Sequence, residues 1–188
     1  MCKDVLLNLV NQRDTPIRLV KHLVHFQDVI DETDDVGNTS LIWAARNDKP
    51  AVLKILIYSD ADIHHVDKSS YKDTALSWAV FKGNVECALI LLKHGANINQ
   101  QTCVYGNSLL MWAHKQDNYE LFLILVHRGS NMRLVNRNHL DIYELCDFSF
   151  VYDRIVKRYR GIVHDILYKV FLNLPIEMYL IQYIMDFY

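Results

Sequence analysis

Apolar residues return every three to four positions in three stretches of the chain: AVLKILI at 51–57, VECALILL at 85–92 and YELFLILV at 119–126. That spacing predicts helices with a continuous apolar face. Ahead of each lies a shorter pattern of the same period, LIWAA from Leu41, LSWAV from Leu76 and LLMWA from Leu109. A hydroxyl residue precedes each short pattern (Thr39, Thr74, Ser108) and suits an N-cap, where its oxygen accepts from a free N–H of the first turn. Polar or glycine turns follow at Asp48, Gly83 and Asp117. The second helices stop at Asp60, Gly95 and Gly129, and glycine fits the left-handed residue that ends a helix. Helices are therefore expected near 40–47, 50–58, 75–82, 84–93, 109–116 and 118–127, giving an all-α chain.

The same order of events occurs three times, and it carries all three Trp residues in near copies of one string, LIWA, LSWA and LMWA. Trp43, Trp78 and Trp112 fall 35 and 34 residues apart, a period that signals stacked units. One helix pair cannot bury both of its apolar faces, whereas stacked copies cover each other. The strings GNTSLIWAA with DADI, DTALSWAV with GNVE and HGANIN, and GNSLLMWA with RGSN resemble the ankyrin repeat. Its consensus runs D-x-x-G-x-T-P-L-H-x-A-A-x-x-G-H, then an apolar helix, then G-A-D-V-N. The chain departs from the T-P-L-H core. Ser40, Ala75 and Leu109 stand for Pro, and Ile42, Ser77 and Met111 stand for the His that ties neighbouring turns, which implies less regular loops. The resemblance places the Trp column on the first helices as a ladder of half-buried indoles whose edges can reach the concave surface.

Weaker copies flank the three. IRLVKHLVHFQDVID from Ile17 reads as a second helix, with Lys21 in phase with Lys54. NRNHLDIYELC from Asn136 reads as a worn first helix and FVYDRIVKRYRG as a second. The units are taken as a cap-like repeat at 1–33, ankyrin repeats at 34–66, 67–102 and 103–135, a degenerate repeat at 136–161 and a tail at 162–188. The fold expected is an ankyrin solenoid of three clear repeats with degenerate caps at both ends and an apolar helical tail.

Composition narrows the class. Hydrophobic residues make up 51% of the 188 and charged residues 22%, enough apolar material for a packed core. The formal net charge of −2 gives no basic field for nucleic acid. The four cysteines form no C-x-x-C pair and read as reduced, mostly buried residues of an intracellular protein. Lys3 and Asp4 in the first turn, with no small-residue cleavage site after them, predict no signal peptide. Polar residues break every apolar run well short of 18, so no membrane span is expected.

The resemblance implies binding through the hairpin turns and the open side of the first helices. Carried onto this chain, it names Val36, Asn38, Arg46, Tyr71, Asp73, Phe81, Lys82, Tyr105, Asn107 and Lys115. Tyr71, Phe81 and Tyr105 are aromatic where a merely solvated surface would be polar. Rimmed by Arg46, Lys82 and Lys115, they suit a protein-binding patch for an acidic partner segment; otherwise Phe81 simply covers a neighbouring turn.

After Gly161 the chain is strongly apolar without a repeat. LPIEMYLIQYIMDF, with Pro175 suited to the first position of a helix, resembles the start of an F-box. Truncated elements of that kind follow ankyrin arrays in poxviral proteins and in some effectors of intracellular bacteria. Leu174, Pro175, Glu177, Met178 and Ile181 would then dock the linker subunit of a cullin-type ubiquitin ligase. The string also resembles the end of a SOCS box, or else forms a helix that only caps the last repeat.

Nine His give two close sets, His22 with His25 and His64 with His65, neither joined by further ligands in metal order. No G-x-S-x-G, P-loop or Cys–His nucleophile context occurs. Asn99 resembles the site at which ankyrin repeats are asparagine-hydroxylated. The sequence thus predicts a non-enzymatic interaction protein without cofactor or metal, in the cytoplasm or in a host's cytoplasm or nucleus. One reading is an adaptor that joins a host protein to the ligase. The other is a stand-alone, IκB-like decoy whose tail is a cap.

Overall fold

The structure, a computed structural model, describes residues 3–11, 17–18, 20, 30–69 and 72–146. Eight helices are described: α1 (Lys3–Asn11), α2 (Ser40–Arg46), α3 (Pro50–Tyr58), α4 (Ala75–Lys82), α5 (Val85–Lys93), α6 (Leu109–Lys115), α7 (Tyr119–His127) and α8 (Ile142–Leu145). The expected hydroxyls cap the first helix of each repeat. Thr39 accepts from Ile42 N–H at 3.3 Å, Thr74 from Ser77 N–H at 3.3 Å and Ser108 from Met111 N–H at 3.3 Å. Ser77 stands where the consensus has His, and its hydroxyl accepts in return from Thr74 N–H at 2.9 Å. At the same place Ile42 and Met111 are core residues.

Within each repeat the two helices pack on each other: α2 on α3, α4 on α5, α6 on α7. Between repeats α2 stacks on α4, α4 on α6, and α3 on α5, while α1 covers α2 and α8 covers α6. The α1 contact was not marked by any repeat motif. Its Leu6, Leu7 and Val10 are buried, and the Lys49 ammonium donates to Val10 C=O at 2.9 Å. Ala44, Ala45, Ala79 and Ala113 sit where first helices meet, and Leu53, Leu56, Leu91, Leu121 and Leu125 fill the layer beneath. All of these join one core. Asn84 stitches adjacent repeats, since its amide donates to the last carbonyls of α2, Ala45 at 2.7 Å and Arg46 at 3.2 Å.

Each repeat opens on a hairpin finger closed by one backbone bond: Asp34 N to Asn38 O, Asp67 N to Asp73 O, Thr102 N to Asn107 O and Asn136 N to Leu140 O. The fingers differ in length, in keeping with the altered T-P-L-H core. Two of them close with isolated antiparallel bridges, Thr33 with Thr39 and Gln101 with Ser108. Adjacent fingers touch through the backbone, Lys68 N to Val36 O at 2.9 Å and Arg137 N to Tyr105 O at 3.0 Å. Gly37 makes the first approach possible: a Cβ there would lie 2.6 Å from Lys68 N, and its φ is +86°.

Buried Cys87 donates its thiol to Asp48 Oδ1 at 3.6 Å. Burial first, then the Asp48 carboxylate, pushes the thiol up to about 12, so it is a packing residue rather than a nucleophile. Among the described residues no helix is long and apolar enough to cross a membrane.

Candidate partner-binding face

The aspartates that open the first two fingers do two jobs. One Asp34 oxygen accepts from the N–H groups of Val36 and Asn38, at 3.0 and 2.8 Å. Asp67 holds Ser69 N–H and Asp73 N–H in the same way, both at 3.1 Å, and Asn136 holds Asn138 and Leu140 at 2.9 and 3.1 Å. The first residue of each of the first three fingers also receives the indole of its own repeat. Trp43 Nε1 donates to Asp34 Oδ2 at 2.9 Å, Trp78 to Asp67 Oδ2 at 3.4 Å and Trp112 to Thr102 Oγ1 at 3.3 Å. The Trp column therefore anchors each first helix to its finger. Trp43 and Trp78 stay half-buried while Trp112 is buried.

Burial alone would raise Asp34. The side-chain and backbone donors of Asn38, then the Trp43 indole and Val36 N–H, hold it below its ordinary value. Asp73 is the opposite case. Burial pushes its carboxyl up, the Ser77 hydroxyl works against this, and the Asp67 carboxylate adds to it.

Three residues after each Trp, one helical turn further along the same face, stand Arg46, Phe81 and Lys115. The Arg46 guanidinium lies 4.9 Å from the Trp43 ring centre and 4.3 Å from that of Trp78, so it sits between two repeats. Phe81 takes the equivalent place in the next gap, edge-on to Trp78 at 5.9 Å and to Trp112 at 5.2 Å. Lys115 ends the series with its ammonium 4.9 Å from Trp112 and 5.6 Å from Tyr105. A ribbon of rings and cations, Trp43, Arg46, Trp78, Phe81, Trp112, Lys115, thus runs across three repeats. Lys82 hangs beside it, 5.6 Å from the Phe81 ring.

The contact residues expected from sequence fall into three groups. Arg46, Phe81, Lys82, Tyr105 and Lys115 come together on the ribbon, with Phe81 39% and Tyr105 52% exposed. Asp73 lines the cleft beside it. Val36 and Asn107 lie on fingers: Val36 is exposed at a tip, while Asn107 accepts from the Asn136 amide at 3.2 Å. Asn38 is turned inward, 3% exposed, with its amide on both Asp34 oxygens, so it braces the finger and presents little to a partner. Tyr71, Leu174, Pro175, Glu177, Met178 and Ile181 lie outside the described residues. Asn99 uses its side-chain oxygen to accept from Asn131 N–H at 2.7 Å, linking successive repeats behind the second helices. Sequence reasoning gave no binding role to Ser77 and Thr102, which line the cleft with Asp73 and with Gln116 at the end of α6. The signal for the ribbon itself was present as WAAR, WAVF and WAHK, which put one large side chain at a fixed step from each Trp.

Helix pairs stacked side by side, with hairpin fingers along one edge, define an all-α repeat protein of the interaction-module class. A family model described as ankyrin repeats in three copies matches residues 6–102 and 41–136. The chain belongs to the ankyrin repeat family. It is 45% identical over 65 residues to neurogenic locus notch homolog protein 1 of Homo sapiens and of Mus musculus, and 43% identical over 65 residues to notch homolog protein 2 of Homo sapiens. The shared segment is 35% of this chain and spans about 2% of the length of those relatives.

Proposed function

We propose that this protein is a non-enzymatic binding module whose ribbon of first-helix aromatics and cations captures an acidic segment of another protein. One observation carries the reading. Arg46, Lys82 and Lys115 each rest on aromatic rings, and among the described residues none has a carboxylate within ion-pair reach. Elsewhere Lys54 of α3 pairs with Glu86 of α5 at 3.2 Å and Arg133 with Asp141 at 3.3 Å. Cations held over rings are already partly desolvated, and a partner carboxylate adds a charge-assisted bond at small further ordering cost. Exposed Phe81 and Tyr105 supply apolar anchors of the kind that dominate interfaces.

The fuller proposal is an adaptor in the cytoplasm, or in a host's cytoplasm or nucleus. The ribbon holds a host protein, and Leu174, Pro175, Glu177, Met178 and Ile181 dock the linker subunit of a cullin-type ubiquitin ligase. That half rests on the F-box-like string of the tail. The alternative is an IκB-like decoy in which residues 162–188 close the array. It draws on α8, where Ile142 and Cys146 are buried on one side and Leu145 is 36% exposed on the other.

Affinity purification followed by mass spectrometry tests both halves. The triple variant Arg46→Glu, Lys82→Glu, Lys115→Glu is expected to fold and to lose the partner that wild type recovers; equal recovery would move the interface elsewhere. Leu174→Ala with Pro175→Ala is expected to lose ligase subunits and keep the target. Ligase recovered equally with and without that change, or with neither protein, would leave the decoy.

A further inference from the structure

Between the second and third repeats the ribbon opens into a cleft of about 520 Å³, walled by Trp78, Phe81, Tyr105 and Trp112, with both Asp73 and Lys115 in its lining. The rings stand nearly perpendicular to one another, Trp78 to Phe81 at 89° and Phe81 to Trp112 at 79°, so the walls present both faces and edges. One repeat earlier, the matching gap between Trp43 and Trp78 is filled by the chain's own guanidinium, Arg46. Here Phe81 replaces that cation, and no basic side chain among the described residues lies within ion-pair reach of Asp73.

The three kinds of side chain that could enter differ in what they do to Asp73. An apolar one would bury the carboxylate further with no compensating partner. An acidic one would gain Lys115 but meet both Asp73 and the neighbouring Asp67. A basic one would gain the carboxylate and the ring faces together. From these contacts we infer that the cleft between the second and third repeats receives an Arg or Lys side chain of the partner, seated among Trp78, Phe81, Tyr105 and Trp112 against Asp73, with an acidic residue next to it on Lys115. The inference rests on the partner-binding reading and sharpens it: the bound segment is acidic but carries one basic anchor.

The test is a fluorescence titration of the full chain, since all three indoles line this face. The probes are acidic model peptides of one sequence whose central residue is Arg, Lys, Leu or Glu, together with a central-Arg peptide whose acidic flanks are replaced by Gln. The Arg and Lys peptides are expected to bind about tenfold tighter than the Leu peptide. Asp73→Asn, which keeps an oxygen toward Ser77, should bring that ratio near one. Tyr105→Leu should lower it as well and serves if Asp73→Asn fails to fold. Equal binding of Arg and Leu peptides to wild type, or a ratio that survives Asp73→Asn, overturns the basic anchor while leaving the acidic-segment reading intact. A central-Arg peptide that binds as tightly with Gln flanks as with acidic ones, and still depends on Asp73, keeps the anchor and removes the acidic-segment reading. Binding by no peptide overturns both.

Discussion

Two aspartates at opposite ends of neighbouring fingers, Asp34 opening the first and Asp73 closing the second, behave in opposite ways, and the difference separates a scaffold residue from one that lines the proposed site. Asp34 accepts from Val36, Asn38 and Trp43, and its carboxyl is held below the ordinary value. A depressed folded value means that the folded state binds fewer protons than the unfolded one in that window. Its stabilisation is complete above the unfolded value near 3.8 and is lost as the pH falls through the lower folded value. Asp34→Asn is therefore expected to lower the midpoint of thermal unfolding at neutral pH, with the gap to wild type closing in strong acid. Asp73 is raised, so its ionisation costs stability, and the cost grows as the pH rises from the unfolded value of 3.8 through the folded one. Asp73→Asn should leave the midpoint at pH 7 unchanged or higher; a clear drop would make Asp73 a structural residue. Trp78 joins its finger to α4 through Asp67 and packs on both Arg46 and Phe81. Trp78→Ala is expected to cost about 3–5 kcal/mol in chemical denaturation, and an unchanged curve would mark the indole as a surface group. Asn38 shows where residue-level reading stops. An Asn in a glycine turn looks exposed, and only the return of its amide to Asp34 turns it inward.

At the scale of elements the sequence was most informative about helices. Hydroxyl caps, apolar period and stop residues put the six repeat helices within about a residue of where they stand, because those signals act locally. The stop at Asp60, with φ of 63°, is the weaker one expected where glycine is missing. The cleft was less legible. Arg46, Phe81 and Lys115 lie at a constant step from each Trp, but what each one touches depends on the next repeat. The fingers were legible as turns, and their mutual contact was not, since it depends on the stacking distance. That contact gives a direct check. Gly37 combines a left-handed backbone with a close approach to Lys68, so Gly37→Ala is expected to cost well over 1 kcal/mol, against less than that for Ala at an unstrained site. A loss below 0.5 kcal/mol in urea titration, on the order of an ordinary surface change, would show that the two fingers are not in contact.

Over the whole molecule, stability comes from nearest neighbours, as in any stacked array, and the same stacking builds the ribbon. No single repeat contains the ribbon or the cleft. Arg46 needs the Trp of the next repeat, Phe81 needs the one after that, and the cleft with Asp73 exists only where two repeats meet. The proposed partner face is in this sense a product of the register between repeats, and recognition through it would require a folded array. Hydrogen–deuterium exchange on the chain alone and with its purified partner tests that claim most directly. The account predicts new protection across 43–47, 76–83 and 104–116, the first helices and the third finger, with the second helices at 51–58 and 85–93 unchanged. Protection confined to those second helices, with the ribbon exchanging as in the free protein, would contradict it.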